Sequence, residues 1–269
     1  MPFTGEPMIN KPMIVVAVVV VAAVSGVAYY LHIRSTQLQH VPAAASAAAP
    51  GEPAIQHPLP QAGDSAAQGP LPALGDSDPA IKDALGEVAG SDAVMRYLAP
   101  DSIIRRIVVT VDNLPRQKVP VDKRPALPVA GTFQVIGDEL HAALDPKNFA
   151  RYEPMVGVIR QLDMRRLADV YLRFYPLFQH VYQDLGYPSG YFNDRLVQAI
   201  DSLLATPQRA GPIELSRPSV RYTFADPALE ARPAGQKILL RMGPENAAAI
   251  KAKLVELRAI LTAAPPPKR

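Results

Sequence analysis

Apolar residues follow three different patterns along this chain. From Met13-Ile14-Val15-Val16 to Ala28-Tyr29-Tyr30-Leu31 they run without a charged side chain between them. From 35 to 78 they show no period. From Asp101 onward they recur every three or four residues, the spacing of an amphipathic helix. Asp101 is placed to cap a helix to about Leu114. There Ile103, Ile104, Ile107, Val108, Val111 and Leu114 form one stripe, with Arg105, Arg106, Asp112 and Asn113 opposite. Asp145-Pro146 marks another helix start. Asp163 opens the strongest helix, with Leu167, Val170, Tyr171, Phe174, Phe178, Val181 and Leu185 on its stripe. Pro176 lies inside it, and a kink is expected there. Gly186 ends it. A turn through Tyr187-Pro188-Ser189-Gly190 leads to a helix over Phe192–Leu204, expected to return antiparallel against its predecessor. Gly243-Pro244-Glu245 separates two late helices, the second carrying Ile250, Leu254, Leu257 and Leu261 on one face.

Strand signals are short. Phe133 and Val135 alternate before Gly137-Asp138, with Leu140 and Ala142 after it, which suggests a hairpin. Val220, Tyr222 and Phe224 alternate further on. No βαβ order repeats, so a doubly wound α/β fold is rejected. The expected fold class is mainly α with a small antiparallel β-sheet (α+β), behind a single transmembrane helix and a linker.

Four regions follow. Residues 1–34 hold a membrane anchor with its span at about 13–33. Between Lys11 and Arg34 the apolar run reaches the ~20 residues that cross the bilayer core, and Tyr29 and Tyr30 suit an interfacial belt. A cleaved signal peptide is the rival reading, but its apolar stretch normally runs only ~7–15 residues. A buried core helix is a third reading, and the flanking sequence offers nothing to bury it. Residues 35–78 are rich in Pro and Ala and contain no Lys or Arg. Such a stretch buries too little apolar area to offset its ordering entropy, so it reads as a flexible linker. Residues 79–264 form the folded domain and 265–269 a frayed tail. The flanking charges lean towards the N-terminus inside. That places the protein in the inner membrane, single-pass, with the C-terminal domain in the periplasm.

Composition narrows the chemistry. There is no Cys, so disulfides, thiolate zinc sites and thiol nucleophiles are excluded. The net charge is +3. All bases except Lys11 and Arg34 lie beyond residue 78, as do all acids except Glu6, Glu52, Asp64, Asp76 and Asp78, which leaves the C-terminal portion basic. Dinucleotide, phosphate-loop and nucleophile-elbow motifs are absent. His141 and His180 have no metal-ligand spacing. No cofactor and no metal are expected. The basic loop Pro115–Pro125 lacks interleaved aromatics, so nucleic acid is disfavoured.

The densest polar and aromatic cluster is Gly186-Tyr187-Pro188-Ser189-Gly190-Tyr191-Phe192-Asn193-Asp194-Arg195. It supplies the candidate binding residues Tyr187, Tyr191, Asn193, Asp194 and Arg195, to which Asp112 and Asn113 are added. A purely structural turn, with Asn193 and Asp194 complementing the helix dipole, is the competing interpretation. Asp194 and Asp201 are seven residues apart on one helix face. A carboxylate-based hydrolase needs two acids ~5–9.5 Å apart, so convergence of Asp112, Asp194 and Asp201 on a cleft would favour an enzyme.

Val109-Thr110-Val111-Asp112-Asn113-Leu114-Pro115, Leu185-Gly186-Tyr187-Pro188 through Asn193-Asp194-Arg195, and Leu239-Leu240-Arg241-Met242-Gly243-Pro244-Glu245-Asn246 resemble an uncharacterised bacterial family known only as a domain of unknown function. The likeness covers about residues 80–262. It implies a proteobacterial envelope protein with one N-terminal anchor, and it brings no activity, cofactor or catalytic residue. The leading expectation is a membrane-tethered, non-enzymatic binding or scaffolding domain. Its partners would be the lipid bilayer, through 13–33, and an envelope protein or cell-wall component. The alternative is an undescribed envelope enzyme such as a cell-wall hydrolase.

Overall fold

The computed structural model describes residues 54–59, 70–138, 141–209 and 211–263. The expected span at 13–33, Leu140 of the expected hairpin and the tail 265–269 lie outside the described residues. Ten helices follow in order: α1 (Ser77–Ala89), α2 (Ser91–Tyr97), α3 (Ile103–Asn113), α4 (Lys147–Ala150), α5 (Glu153–Gln161), α6 (Met164–Asp184), α7 (Phe192–Leu204), α8 (Pro227–Glu230), α9 (Ala234–Met242) and α10 (Pro244–Leu261). Four two-residue strands, β1 (Val135–Ile136), β2 (Ala143–Leu144), β3 (Leu215–Ser216) and β4 (Thr223–Phe224), and two short 3-10 turns at Leu74–Asp76 and Val121–Lys123 complete the described elements. Among these helices none is long and apolar enough to cross a membrane.

Helix boundaries follow local chemistry where the cap is local. The Asp163 carboxylate accepts from the amides of Arg165 and Arg166 and starts α6, as its position predicts. Gly186 has φ of 101°, a conformation that disfavours any residue with a Cβ, and it ends α6. Asp145 accepts from the Lys147 amide at 2.9 Å ahead of α4.

The start of α3 corrects one expectation. Asp101 does not cap it. Its carboxylate is engaged by Arg106 at 2.9 Å, which holds it below its ordinary pKa. The cap comes instead from Asp78 in the first turn of α1, whose two oxygens accept from Ser102 N at 2.6 Å and Ile103 N at 2.8 Å. Asp78→Ala is therefore expected to cost about 1–2 kcal/mol in thermal unfolding, the upper half of the range for a lost N-cap. Asp101→Ala should cost less.

The first helix begins at Ser77, and Leu71 and Leu74 ahead of it pack on the core. Folded structure thus starts before residue 79. The main core gathers Ile81 of α1, Ile103, Ile104 and Val108 of α3, Phe174, Phe178 and Val181 of α6 and Phe192 of α7. The helix with the widest apolar stripe lies in its middle: α6 meets α1, α3 and α10. Helix α7 departs from expectation. It touches α6 mainly through its first turns and packs along its length on α10, α3 and α9, not back against α6. Leu261 of α10 closes a second cluster with Val197 and Ile200 of α7.

The strands form two antiparallel pairs where a single small sheet was expected. Val135 faces Leu144, and Leu215 faces Phe224. Main-chain bonds from Leu144 N to Ile213 O (2.9 Å) and Leu215 N to Ala142 O (2.7 Å) join the two pairs. A third cluster lies beneath them, with Leu144, Leu215, Phe224, Leu229 and Leu240.

One long-range join involves helix ends. The amides that open α9 have no partner within their own helix. Ala234 N donates to Arg116 O at 2.6 Å and Gly235 N to Leu114 O at 3.0 Å, so the end of α3 caps the start of α9. A Cβ at Gly235 would lie 2.6 Å from Leu203 Cδ2, which is why a glycine stands at this junction.

Candidate functional site

The site begins with aromatic spacing on α6. Residues three and four apart share a helix face, and Tyr171, Tyr175, Phe178 and Tyr182 follow that spacing. Tyr171 meets Tyr175 edge-on at 5.6 Å, Tyr175 meets Tyr191 at 5.6 Å, and Phe178 stacks on Phe192 at 5.8 Å. These rings form a wall that joins α6 to the start of α7. Burial pushes the phenols of Tyr171 and Tyr175 well above their ordinary range, so both remain O–H donors at neutral pH.

Gln179 fixes the turn against this wall. Its Oε1 accepts from Phe192 N at 2.8 Å and from the Tyr175 hydroxyl at 2.9 Å. Its Nε2 donates to Gly190 O at 2.7 Å. Gln179 was not among the sequence candidates. Its only signal there was an amide four residues after Tyr175, beside the apolar stripe.

Three of the candidates converge on a short piece of the chain itself. Residues 54–59 lie against the start of α7, bent at Gln56-His57. The Asp194 carboxylate accepts from Gln56 N at 3.0 Å and His57 N at 2.7 Å. The Tyr191 hydroxyl accepts from Leu59 N at 3.1 Å. Asn193 donates to His57 O at 2.8 Å, while its Oδ1 accepts from the Tyr171 hydroxyl at 3.2 Å. Leu59 packs in the cluster of Val197, Ile200 and Leu261. Successive main-chain N–H groups at a bend form a cradle for an anionic oxygen, and here the oxygens come from Asp194.

The other candidates group separately. Arg195 is next to Asp194, but one helical step turns it ~100° away. It bonds Asp112, with Nε at 3.0 Å from Oδ1 and Nη2 on the Asp112 carbonyl. Arg116 reaches the same Oδ1 at 3.1 Å and donates to the Tyr187 hydroxyl at 2.7 Å. That carboxylate raises the Arg116 pKa. Tyr187 stacks on Tyr182 at 4.6 Å. Asp112 falls opposite the apolar stripe of α3, yet it is only 6% exposed, and two guanidinium groups compensate its charge there. Asn113 joins neither group and donates back to Val109 O at 2.7 Å. Asp201 is paired with Arg258, Oδ2 to Nη2 at 3.1 Å.

A separate apolar cavity of about 470 Å³ lies between the strands and α9–α10, lined by Leu144, Phe149, Ile213, Leu240 and Ala247 among others. Arg209 and Lys251 reach its wall, and among the described residues no carboxylate or imidazole does. None of the sequence candidates lines it. Among the described residues no group of acids or histidines is arranged to hold a metal.

No curated protein and no solved structure matches the chain. The model of the family described as "Protein of unknown function (DUF3014)" matches residues 103–258, which take in α3 through most of α10, the Asp112–Arg195 pair and the α7 start that holds residues 54–59. With more than half of its length matched, the chain belongs to the DUF3014 family.

Proposed function

We propose that this is a single-pass inner-membrane protein, anchored through residues 13–33, whose folded domain lies in the periplasm and binds another envelope component without transforming it. One observation carries the binding reading. The polar side chains at the start of α7 grip peptide main chain, through Asp194 on two successive amides and Asn193 on the next carbonyl. Groups that recognise main chain make a peptide-binding surface. The anchor rests on the uncharged apolar run at 13–31, the periplasmic side on the flanking charges, and the envelope setting on the family resemblance.

Support also comes from where the carboxylates go. A hydrolase would need free acids facing one cleft. Asp112 is held by Arg195 and Arg116, Asp194 by main-chain amides, and Asp201 by Arg258.

In-cell photocrosslinking of the full chain tests the reading, with the photoreactive residue in place of Ser189, which is exposed in the turn that leads into α7. The expected result is a discrete adduct with an envelope protein or cell-wall fragment that disappears when Asp194→Asn is added. Turnover of cell-wall fragments by the purified chain, lost on Asp194→Asn, would overturn the binding reading in favour of the enzyme.

A further inference from the structure

The segment on the site is matched to it donor by donor. From Gln56 to Leu59 the main chain owns three N–H groups, because Pro58 has none. All three are taken by the domain: two by Asp194 and one by Tyr191. The one apolar side chain that turns inward, Leu59, fills part of the Val197–Leu261 cluster. Pro58 also restrains His57, whose backbone is pushed out of the helical region before binding. That lowers the ordering entropy of the bound form. Ile55, Gln56 and Pro58 stay exposed, so the contact is made by main chain and one anchor. Asn193 is fully buried and divides its hydrogen bonds among His57 O, the Tyr171 hydroxyl and Leu261 O. It therefore ties the segment to α6 and α10 together.

Ten residues, 60–69, separate this segment from the start of the domain. A connection that short gives an effective concentration in the millimolar range. Even a weak intrinsic contact then closes most of the time, and an outside ligand for the same groups binds only the open fraction.

We propose that residues 55–59 are a latch. They occupy the recognition surface in cis and must leave before a partner enters. The partner is a peptide segment of the same chemistry: two successive free amides at a bend, a carbonyl for Asn193, then an apolar residue of leucine size two positions on. The latch rests on the peptide-binding reading above, but its test is separate.

The probe is a fluorescent synthetic peptide carrying the sequence of residues 53–60, titrated by anisotropy into the full chain in detergent micelles. A chain with His57→Pro and Leu59→Asp loses one donor and the anchor, and its site stands open. The peptide is expected to bind this chain at least about tenfold more tightly than the parent, which corresponds to a latch closed nine-tenths of the time or more. Adding Asp194→Asn should abolish binding. Equal affinity for the parent and the opened chain overturns the latch, as does no binding to the opened chain at millimolar peptide. Hydrogen exchange on the unmodified chain gives a second measurement that needs no variant to fold. The Gln56 and His57 amides should exchange slowly and speed up when excess peptide is added; fast exchange without peptide also overturns the proposal. Failure here leaves any in-cell adduct standing. A missing adduct, in turn, leaves the peptide titration intact.

Discussion

Phe174→Ala is expected to lower the stability of the folded domain by about 3–5 kcal/mol, the range for a buried aromatic reduced to alanine. Phe174 is fully buried and belongs to the cluster that joins α1, α3, α6 and α7. Removing the ring takes away its burial and leaves a hollow that rigid helix faces on several sides cannot close. Domains are typically stable by only ~5–15 kcal/mol, so the loss would appear as a large fall in the urea midpoint. The slope m should stay constant, because the surface exposed on unfolding hardly changes. A variant that unfolds like its parent would remove α6 from the centre of the domain.

The second large effect concerns Asp112. The side chain of Arg195 is only 13% exposed and that of Asp112 9%, and they meet at 3.0 Å across 83 residues of sequence. Breaking a buried pair from one side strands the other charge in a poorly hydrated place, which costs ~3–5 kcal/mol when burial is complete. Asp112→Ala is expected near the lower end, about 3 kcal/mol, because Arg195 keeps the carbonyl of residue 112 and some contact with solvent. Arg116 is about half exposed and can turn to water. The comparison that isolates the mechanism is Asp112→Leu with Arg195→Met. If the stranded charge sets the cost, that double variant should be markedly more stable than Asp112→Ala alone. Denaturation of all three in parallel decides it. A loss below about 1 kcal/mol for Asp112→Ala would mean that solvent reaches the pair more freely than its burial implies.

How far the sequence revealed this structure depends on how local each cause is. Helix α6 was legible because its stripe, its Asp163 cap and Gly186 all lie within the helix or beside it. The positive φ at Gly243 follows the same logic, at a break where Pro244 opens the next helix. The capping of α3 was not legible, since Asp78 lies 24 residues from Ser102 and a nearer acid, Asp101, has the expected position. Helices α1 and α2 left no strong apolar period and were not anticipated. The path of α7 was misread because nothing local distinguishes packing on α6 from packing on α10.

For the candidate site, residue chemistry singled out Tyr191, Asn193 and Asp194, which the fold brings onto one segment. It did not reveal what they hold. A six-residue bent segment has no period, and its contacts span more than 130 positions, as in the bond from His57 to Asp194. Asp112 and Arg195 were both singled out, but their pairing with each other was invisible for the same reason. Asn113 was grouped with them by sequence adjacency alone. The next position along a helix faces ~100° away, and its side chain stays on its own helix.

The join between the end of α3 and the start of α9 bears on how the protein is made. The carbonyls of Leu114 and Arg116 wait for amides about 120 residues further along the chain. At a synthesis rate of ~5–20 residues per second, that is a delay of ~6–24 seconds. During this interval α3 has emerged with its end uncapped and Leu114 without its neighbour Gly235. Leu261, which closes the cluster under Leu59, arrives later still. The domain therefore cannot complete itself piece by piece from its beginning. Contacts such as the Asp78 cap on α3 can form early, but the cluster under Leu59 waits for the last helix, and until then this part of the nascent domain stays open to proteases and chaperones.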